Sequence, residues 1–501
     1  METSAKCGRF ALLEPACLVY ALFYTFCLYE NPSGITFFFL CAGTLLLTHL
    51  TAEGKQAEKS GQKSEIYKKA EPCEKVEYRE KIVGRSGIFY PVAMLLLGVS
   101  TFMTDSSPVI ALNHAAEAVL LIFYLIRLNM DDGSMEIGDY LTALIKALFG
   151  SLLLLFAPFQ DAAGYFEERK GNASGKKGLF RPILAGLLIA VPLLAVITAL
   201  LSSADRIFAV MLENTFGKMT LPENLPFIAV MAVFAFFASY CGISYFRKEM
   251  FRETGNRQPD QKKNPVAAIT FTGLILIVYF IFIGIQAAFL IAGNGILPEG
   301  TTYAEYVHQG FYQLLAVSII NLVLVMVCEA VFQRCRLLSG LLAGISVSTY
   351  CMMAVSAGRM ILYIRAYDLT FLRLFVLFVL LVLSFLMAGV MIKVFRPDFR
   401  FFRYSLFLTV SMYLVFSFAR PDAWIAEYNL SAGNEDYFYY GTLSADAAPV
   451  FFKNVSFMSD PDRRSAYTSA LAESLRTKNP GDFRTFNISR AEASGLLKLN
   501  R

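Results

Sequence analysis

Charged side chains and histidines are scarce in this sequence. Asp, Glu, Lys and Arg make up 17% of the 501 residues, and there are three histidines. Soluble proteins carry about 25% charged residues. Apolar residues reach 56%, and they gather in runs with little or no charge. Because a helix needs roughly twenty such residues to cross a bilayer, the composition excludes a soluble protein and indicates an integral membrane protein.

Motifs for common enzyme and metal chemistry are also missing. The sequence contains no GxxxxGKS/T, HExxH or GxSxG motif and no glycine-rich dinucleotide turn. The nine cysteines form no CxxC pair, and His49, His114 and His308 are far apart. We therefore predict no catalytic residue, metal site, cofactor or disulfide framework. Nucleic acid is not an expected partner, because no basic block is interleaved with aromatics in a soluble region.

The apolar runs predict an all-α fold, a polytopic helical membrane bundle of about eleven transmembrane helices. The first run follows Lys6 and Arg9, and its length predicts a retained signal anchor. The predicted spans lie near residues 11–29, 35–50, 87–104, 108–128, 181–201, 225–246, 266–292, 310–331, 339–363, 371–392 and 402–418.

Lysine and arginine predict the orientation, since they are retained on the cytoplasmic side. The loop 51–86 holds nine of them, whereas the loops 30–34, 105–107 and 293–309 hold none. This alternation predicts a cytoplasmic N-terminus and a small, helical, extracytoplasmic C-terminal segment, residues 419–501. We expect two helices there, about 463–477 and 489–498, which pack on the outer mouth of the bundle because the segment is too small for a robust core.

Residues 139–160 leave the number of spans open. Acidic residues bound this segment at both ends, which favours an amphipathic helix at the membrane interface. A twelfth span is the alternative, but it breaks the charge alternation of the later loops. The resulting organisation is a first transmembrane pair (1–50), a charged cytoplasmic loop (51–86), a second pair (87–128), a cytoplasmic loop with the interfacial helix (129–180), the main bundle (181–418) and the C-terminal segment (419–501).

Polar residues at bilayer depth are candidates for function because they are costly there. Asn113, His114 and Glu117 fall on one face of the fourth span. They fit a proton or ion relay, or alternatively a carboxyl group bonded to a neighbouring helix or a helix that begins later. Asn321, near the centre of the eighth span, favours a hydrogen bond between helices.

Four arginines lie on the side that should be poor in positive charge. Arginine binds carboxylate and phosphate through two parallel hydrogen bonds, so each needs an anionic partner. One explanation pairs them with Glu305, Asp368, Asp422 and Glu427, which would attach the C-terminal segment to the bundle. The other is recognition of an anionic lipid headgroup or solute. The candidate ligand-binding residues are Arg359, Arg365, Arg373, Arg420, Glu305, His308, Tyr363 and Asp368.

Four segments resemble a family of uncharacterised polytopic membrane proteins common in Gram-positive bacteria, classified as a domain of unknown function. They are 303–314, 358–373, 420–430 and 482–490. Where this chain has Asp368, that family is expected to have glycine, in a Tyr-Gly-Leu-Thr run. The resemblance implies a bacterial plasma-membrane protein with a helical fold, and it brings no activity.

Three functions fit the sequence. The first is a membrane protein that binds an anionic lipid or small solute at its outer face, for transport or sensing. The second is a non-transporting signalling or scaffold protein that acts through protein partners, favoured by the absence of a transporter motif or inverted repeat. The third and least favoured is a membrane-embedded transferase with His308 or Glu305 as a base.

Overall fold

The computed structural model describes residues 2–31, 33–66, 85–129, 137–162, 224–248, 262–291, 303–433, 436–478 and 482–499, with a few positions between 194 and 211. The chain divides into two compact units. Unit 1 comprises residues 1–102, 110–257 and 481–487, and unit 2 comprises residues 103–109, 258–480 and 488–501. Within the described ranges the secondary structure is helical apart from one isolated parallel bridge, Lys263 to Phe332.

Unit 1 is built around three long helices that share a core. The first helix packs against the second and the sixth, and the fifth also packs against the sixth. Buried Leu13, Cys17 and Tyr240 hold the first and sixth together. The helices of this part of the chain are α1 (Glu2–Leu28), α2 (Thr36–Ile66), α3 (Arg85–Met103), α4 (Ser107–Asn129), α5 (Ile137–Leu153) and α6 (Leu225–Lys248).

Unit 2 is a helical bundle whose central element is the ninth helix, which contacts the seventh, eighth and tenth. Leu342 and Ile345 of that helix are fully buried in the core. The eleventh helix packs against the tenth. The helices are α7 (Val266–Ile291), α8 (Tyr303–Val331), α9 (Arg336–Tyr367), α10 (Phe371–Phe395) and α11 (Phe401–Phe418).

The described helices confirm the prediction of an all-α, multi-pass membrane protein. Seven are long and apolar enough to cross a bilayer, and three shorter apolar stretches lie in α1, α2 and α3. All ten coincide with predicted spans, whereas the predicted span 181–201 lies almost entirely outside the described residues. The seven are Ser107–Leu128, Phe227–Phe246, Val266–Ala288, Gly310–Val331, Arg336–Tyr367, Phe371–Phe395 and Phe401–Phe418.

The segment that left the span count open forms α5, which has 17 residues and is followed by a turn at 154–156. Its buried side is narrow and contains Tyr140, Ala143 and Ala147. Leu148, Phe149 and neighbouring apolar side chains are exposed. The helix is shorter than a typical span, and its interfacial position stays a prediction.

The C-terminal segment contains a cluster of buried aromatic side chains, and the expectation that it is too small for a robust independent core stays a prediction. Tyr440, Phe451, Phe457 and Tyr467 are buried together, and the rings of Phe451 and Tyr467 lie 4.4 Å apart. Four aromatic rings bury a large apolar area in a small volume, which is why short helices suffice. They are α12 (Pro421–Ser431), α13 (Tyr437–Thr442), α14 (Ala448–Lys453), α15 (Val455–Ser459), α16 (Pro461–Lys478) and α17 (Ile488–Leu499), with 3₁₀ turns at Ala445–Ala447 and Phe483–Thr485.

Candidate ligand-binding site

A pocket of about 140 Å³ lies in unit 2 where α8 begins, α9 ends and α10 begins. An engineered protein cavity of about 150 Å³ holds a benzene molecule, so this pocket has room for a small organic group. Its lining combines one guanidinium group with aromatic and aliphatic side chains. The lining residues are Phe311, Tyr312, Met360, Tyr363, Thr370, Leu372 and Arg373.

The junction between α9 and α10 fixes the charged wall of the pocket. Asp368 ends α9 with φ of 66° and ψ of 170°, which turns the chain sharply, and α10 begins at Phe371. Arg373 donates from Nη1 to the backbone carbonyls of Tyr367 and Asp368. The last carbonyls of a helix have no partner within the helix and carry partial negative charge, so the guanidinium stabilises this end of α9.

The Arg373 guanidinium also lies over an aromatic ring. Its Cζ atom is 4.4 Å from the centre of the Tyr363 ring, within the range of a cation–π contact. In the described part of the chain, its hydrogen bonds go to carbonyl groups and not to a carboxylate. Arg373 therefore brings a positive charge to the pocket in a fixed geometry.

Arg359 borders this site from the interior of the bundle. It is half-buried in α9, and its Nη2 donates to Gln286 Oε1 of α7 at 3.3 Å. A Cβ atom on Gly310 would lie 1.8 Å from Arg359 Nη1, so a larger residue here would require the end of the Arg359 side chain to shift. Because Gly310 and Arg359 directly precede two lining residues, Phe311 and Met360, a second arginine stands next to the pocket wall.

The other predicted ligand residues lie elsewhere. Arg365 is exposed on α9 and does not line the pocket. Arg420 Nη1 forms an ion pair with Glu492 Oε2 of α17 at 3.0 Å. Glu305 and His308 belong to the first turns of α8, and their side chains lie outside the described structure. The four arginines do not converge on one cavity.

The acids proposed as partners of the arginines have different roles. Asp422 is buried and accepts a hydrogen bond from the Ser444 backbone N–H at 3.3 Å, and Glu427 is exposed. The acid that holds Arg420 is Glu492, which the sequence did not indicate. Arg420 therefore does attach to the C-terminal segment, but to its last helix.

Asn429 joins the C-terminal segment to the pocket. Its buried side-chain amide accepts from the Leu369 N–H at 2.8 Å and donates to the Leu369 carbonyl at 2.9 Å. Leu369 lies between the end of α9 and the start of α10. Its backbone N–H and carbonyl both form hydrogen bonds with Asn429 of α12. The segment thereby holds the backbone that carries Arg373.

A buried ionic cluster in unit 2 was missed by the sequence reasoning. Asp105, in the connection between α3 and α4, accepts from Arg490 Nε at 2.7 Å and from Lys478 Nζ at 3.1 Å. Only 1% of the Asp105 side chain and 7% of the Arg490 side chain are exposed. Arg490 also donates to the Lys478 carbonyl at 3.1 Å. Two sequence features could have indicated this cluster. Asp105 lies in a three-residue connection between apolar runs, and Arg490 ends the segment 482–490.

A second carboxylate completes the cluster. Asp446 accepts a hydrogen bond from the Thr104 hydroxyl and another from the Asp105 backbone N–H. Burial raises the pKa of the Asp446 carboxyl above its ordinary value, the hydrogen bond from Thr104 opposes this, and the neighbouring Asp422 charge adds to it. The cluster joins the α3–α4 connection to three parts of the C-terminal segment.

Asn321 connects three helices of unit 2. Its Oδ1 accepts from the Tyr279 hydroxyl of α7 at 2.6 Å, and its Nδ2 donates to the Thr349 hydroxyl of α9 at 2.9 Å. Both atoms of the amide are thus used between helices, and the residue is fully buried. This is the geometry of an interhelical hydrogen bond and not of a ligand contact.

The three polar residues of α4 lie in unit 1. Asn113 donates to the Thr101 hydroxyl of α3 at 3.0 Å, and the His114 ring meets the edge of Phe37 with centroids 4.1 Å apart. Glu117 has both carboxylate oxygens shielded from solvent. Within the described residues, no group of three or more His, Cys, Asp and Glu side chains is arranged to hold a metal ion.

The helices that are long and apolar enough to cross a bilayer define this chain as a multi-pass helical membrane protein. A family model described as "Domain of unknown function (DUF4153)" matches residues 92–453. Because the match covers well over half of the sequence, the chain belongs to this family, which agrees with the resemblance seen in the sequence. The matched region contains every lining residue of the pocket. No curated protein and no solved structure matches the chain.

Proposed function

We propose that this protein binds an anionic amphiphile, a phosphate or carboxylate headgroup attached to hydrocarbon, at the pocket between α8, α9 and α10. The proposal places the pocket at the extracytoplasmic face of a bacterial plasma membrane. The observation that carries it is the Arg373 guanidinium, held over Tyr363 in an otherwise apolar lining.

The chemistry of the lining supports this ligand class. A guanidinium group binds phosphate and carboxylate with charge-assisted hydrogen bonds, which are about twice as strong as neutral ones. Arg373 uses Nη1 for the two carbonyls of α9, which leaves Nε and Nη2 for an anion. Phe311, Met360 and Leu372 provide an apolar surface for hydrocarbon next to that charge.

The position of the pocket along the helices supports a ligand that comes from the membrane. Phe311 is the second residue of the candidate span Gly310–Val331, and Thr370 lies between two spans. Tyr312 and Leu372 are 42% and 56% exposed, so the pocket is open on their side. A lipid headgroup and the first carbons of its chains meet a membrane protein at this level. Occupancy of the pocket would serve transport of the ligand or sensing of its amount.

The test is lipid binding to the purified protein in nanodiscs, measured by native mass spectrometry. Phosphatidylglycerol should bind and zwitterionic phosphatidylcholine should not, and excess inorganic phosphate shows whether a free anion competes. Because a hydrogen bond to a charged group contributes about 1.5–3 kcal/mol, Arg373→Gln should weaken phosphatidylglycerol binding by about 10- to 100-fold. Arg365→Gln, the same change at an exposed position of α9, is the matched control and should bind like the wild type.

A second variant shows whether weaker binding is due to the altered pocket or to a folding defect. Arg373 also stabilises the end of α9, so its replacement affects folding as well. Leu372→Trp leaves Arg373 in place and narrows the pocket from a side chain that is largely exposed. This variant should also bind less phosphatidylglycerol. Unchanged binding in both variants contradicts the proposal.

A further inference from the structure

Unit 1 contains a carboxylic acid at the middle of a candidate span. Glu117 belongs to α4, whose apolar part extends over Ser107–Leu128. Both of its carboxylate oxygens are inaccessible to solvent. The Cys41 thiol of α2 is close enough to act as a weak hydrogen-bond donor to this carboxylate. Among the described residues no lysine or arginine contacts this carboxylate.

The titratable groups that face Glu117 from neighbouring helices are weak acids. They are the Cys41 thiol of α2 and the Tyr20 hydroxyl of α1. The Tyr20 hydroxyl is already paired with Thr44 of α2 at 2.8 Å. On α4 itself, His114 lies three residues earlier and packs its ring against Phe37.

Another glutamate of the same chain provides a comparison, because its carboxylate forms an ion pair. Glu329, near the end of α8 in unit 2, is also buried, and its Oε2 forms an ion pair with Arg334. Glu329 has a cation beside its carboxylate, whereas the described structure places none beside the Glu117 carboxylate. Burial of an unpaired ionised carboxylate is so unfavourable that such a group binds a proton instead.

We propose that Glu117 is a membrane-embedded proton-binding site, with its carboxyl group protonated at neutral pH in this conformation. Loss of the proton then requires that water or a cation reach the carboxylate. A conformational change that opens the site would therefore be coupled to proton release, as expected for ionisable residues within a bilayer. This site does not rest on the proposed amphiphile pocket, and each can fail without the other.

Dicyclohexylcarbodiimide tests the proposal on the wild-type protein in native membranes. This apolar reagent adds a protonated carboxyl group across one of its C=N bonds: the proton goes to nitrogen and the carboxyl oxygen to carbon. Transfer of the acyl group to nitrogen then gives a stable N-acylurea, and no atom is lost. Peptide mass spectrometry should find one reagent molecule on Glu117 at neutral pH, with less labelling as the pH rises. Glu329, held by Arg334, is the internal control and should stay unlabelled.

Two variants make the test independent of the reagent. Glu117→Gln has the shape of the protonated acid, so it should lose the label and keep the thermal stability of the wild type. Glu117→Leu should lower that stability, because its branched apolar side chain no longer matches the polar neighbours. If Glu117 stays unlabelled at every pH, or if Glu117→Gln is destabilised as strongly as Glu117→Leu, the carboxylate is ionised and paired, and the proposal is wrong.

Discussion

At the end of α9, Asp368 has φ of 66° and ψ of 170°. Residues with a Cβ atom rarely adopt this region, which is essentially restricted to glycine and costs other residues about 1–3 kcal/mol. Arg373 donates to the Asp368 carbonyl, and Asn429 holds the next residue, Leu369. These contacts fix the backbone in spite of the strain. Glycine, which the family resemblance led us to expect here, is the residue that this backbone favours.

Replacement of Asp368 by glycine should therefore stabilise the protein. We expect a net gain of about 1 kcal/mol in the free energy of unfolding, because the relief of strain outweighs the larger backbone entropy that glycine loses on folding. The measurement is SDS-induced unfolding of the protein in mild detergent. Asp368→Ala is the matched control, since it removes the carboxylate but keeps the Cβ atom, and it should give no gain. Equal gains in both variants would mean that the carboxylate, and not the backbone, is responsible.

Single arginines show the limit of sequence reasoning at this scale. Their number on the side predicted to be poor in charge indicated that each needs a partner. The partners could not be predicted, because they are carbonyl groups of α9 for Arg373, an amide for Arg359 and a distant acid for Arg420. Every residue has a backbone carbonyl, so the sequence does not show which carbonyls accept a hydrogen bond from an arginine.

At the scale of elements, buried charged groups anchor the connection between α3 and α4 in unit 2. Asp105 accepts from Arg490 and Lys478, and Asp446 binds the backbone of Asp105. A buried ion pair gives little net stability compared with apolar packing, but the loss of one partner leaves an unpaired charge inside the protein. The cluster therefore specifies where α16 and α17 are held.

Asp105→Asn should destabilise the C-terminal segment strongly. It removes the buried carboxylate that binds Arg490 and Lys478, so we expect a loss of about 3 kcal/mol. Limited proteolysis should then cleave near α16 and α17 at protease concentrations that leave the wild type intact. Arg463→Gln is the control, because the Arg463–Asp460 pair is partly exposed and contributes about 1 kcal/mol or less. If Asp105→Asn resists protease like this control, the cluster does not hold the segment.

At the scale of the whole molecule, the orientation stays a prediction, and it concerns which loops share one side of the membrane with the C-terminal segment. In unit 1, the Ile35 N–H donates to the Phe486 carbonyl at 3.0 Å. In unit 2, Asp105 binds Arg490. Charge alternation places the loops that contain or adjoin Ile35 and Asp105 on the extracytoplasmic side, together with residues 419–501. Contacts between these parts require that they share one side of the membrane.

Cysteine labelling in intact cells tests the orientation directly. Ser431→Cys and Asp398→Cys introduce thiols at two exposed positions, one at the end of α12 and one between α10 and α11. A membrane-impermeant maleimide should label Ser431→Cys in intact cells and Asp398→Cys only after permeabilisation, with the wild type as background. The reverse pattern would invert the topology and move the proposed pocket to the cytoplasmic side.

The sequence by itself determined the class of this protein and the position of ten apolar helices. Crossing a bilayer depends on a local property, about twenty consecutive residues of apolar character, and a local property can be read from the chain. The tertiary structure decided which arginine lines the pocket, that the Glu117 carboxylate is shielded from solvent with no described cation beside it, and that Asp105 meets Arg490, 385 residues further along the chain. Such contacts depend on how distant helices pack, and the packing is a property of the folded molecule as a whole.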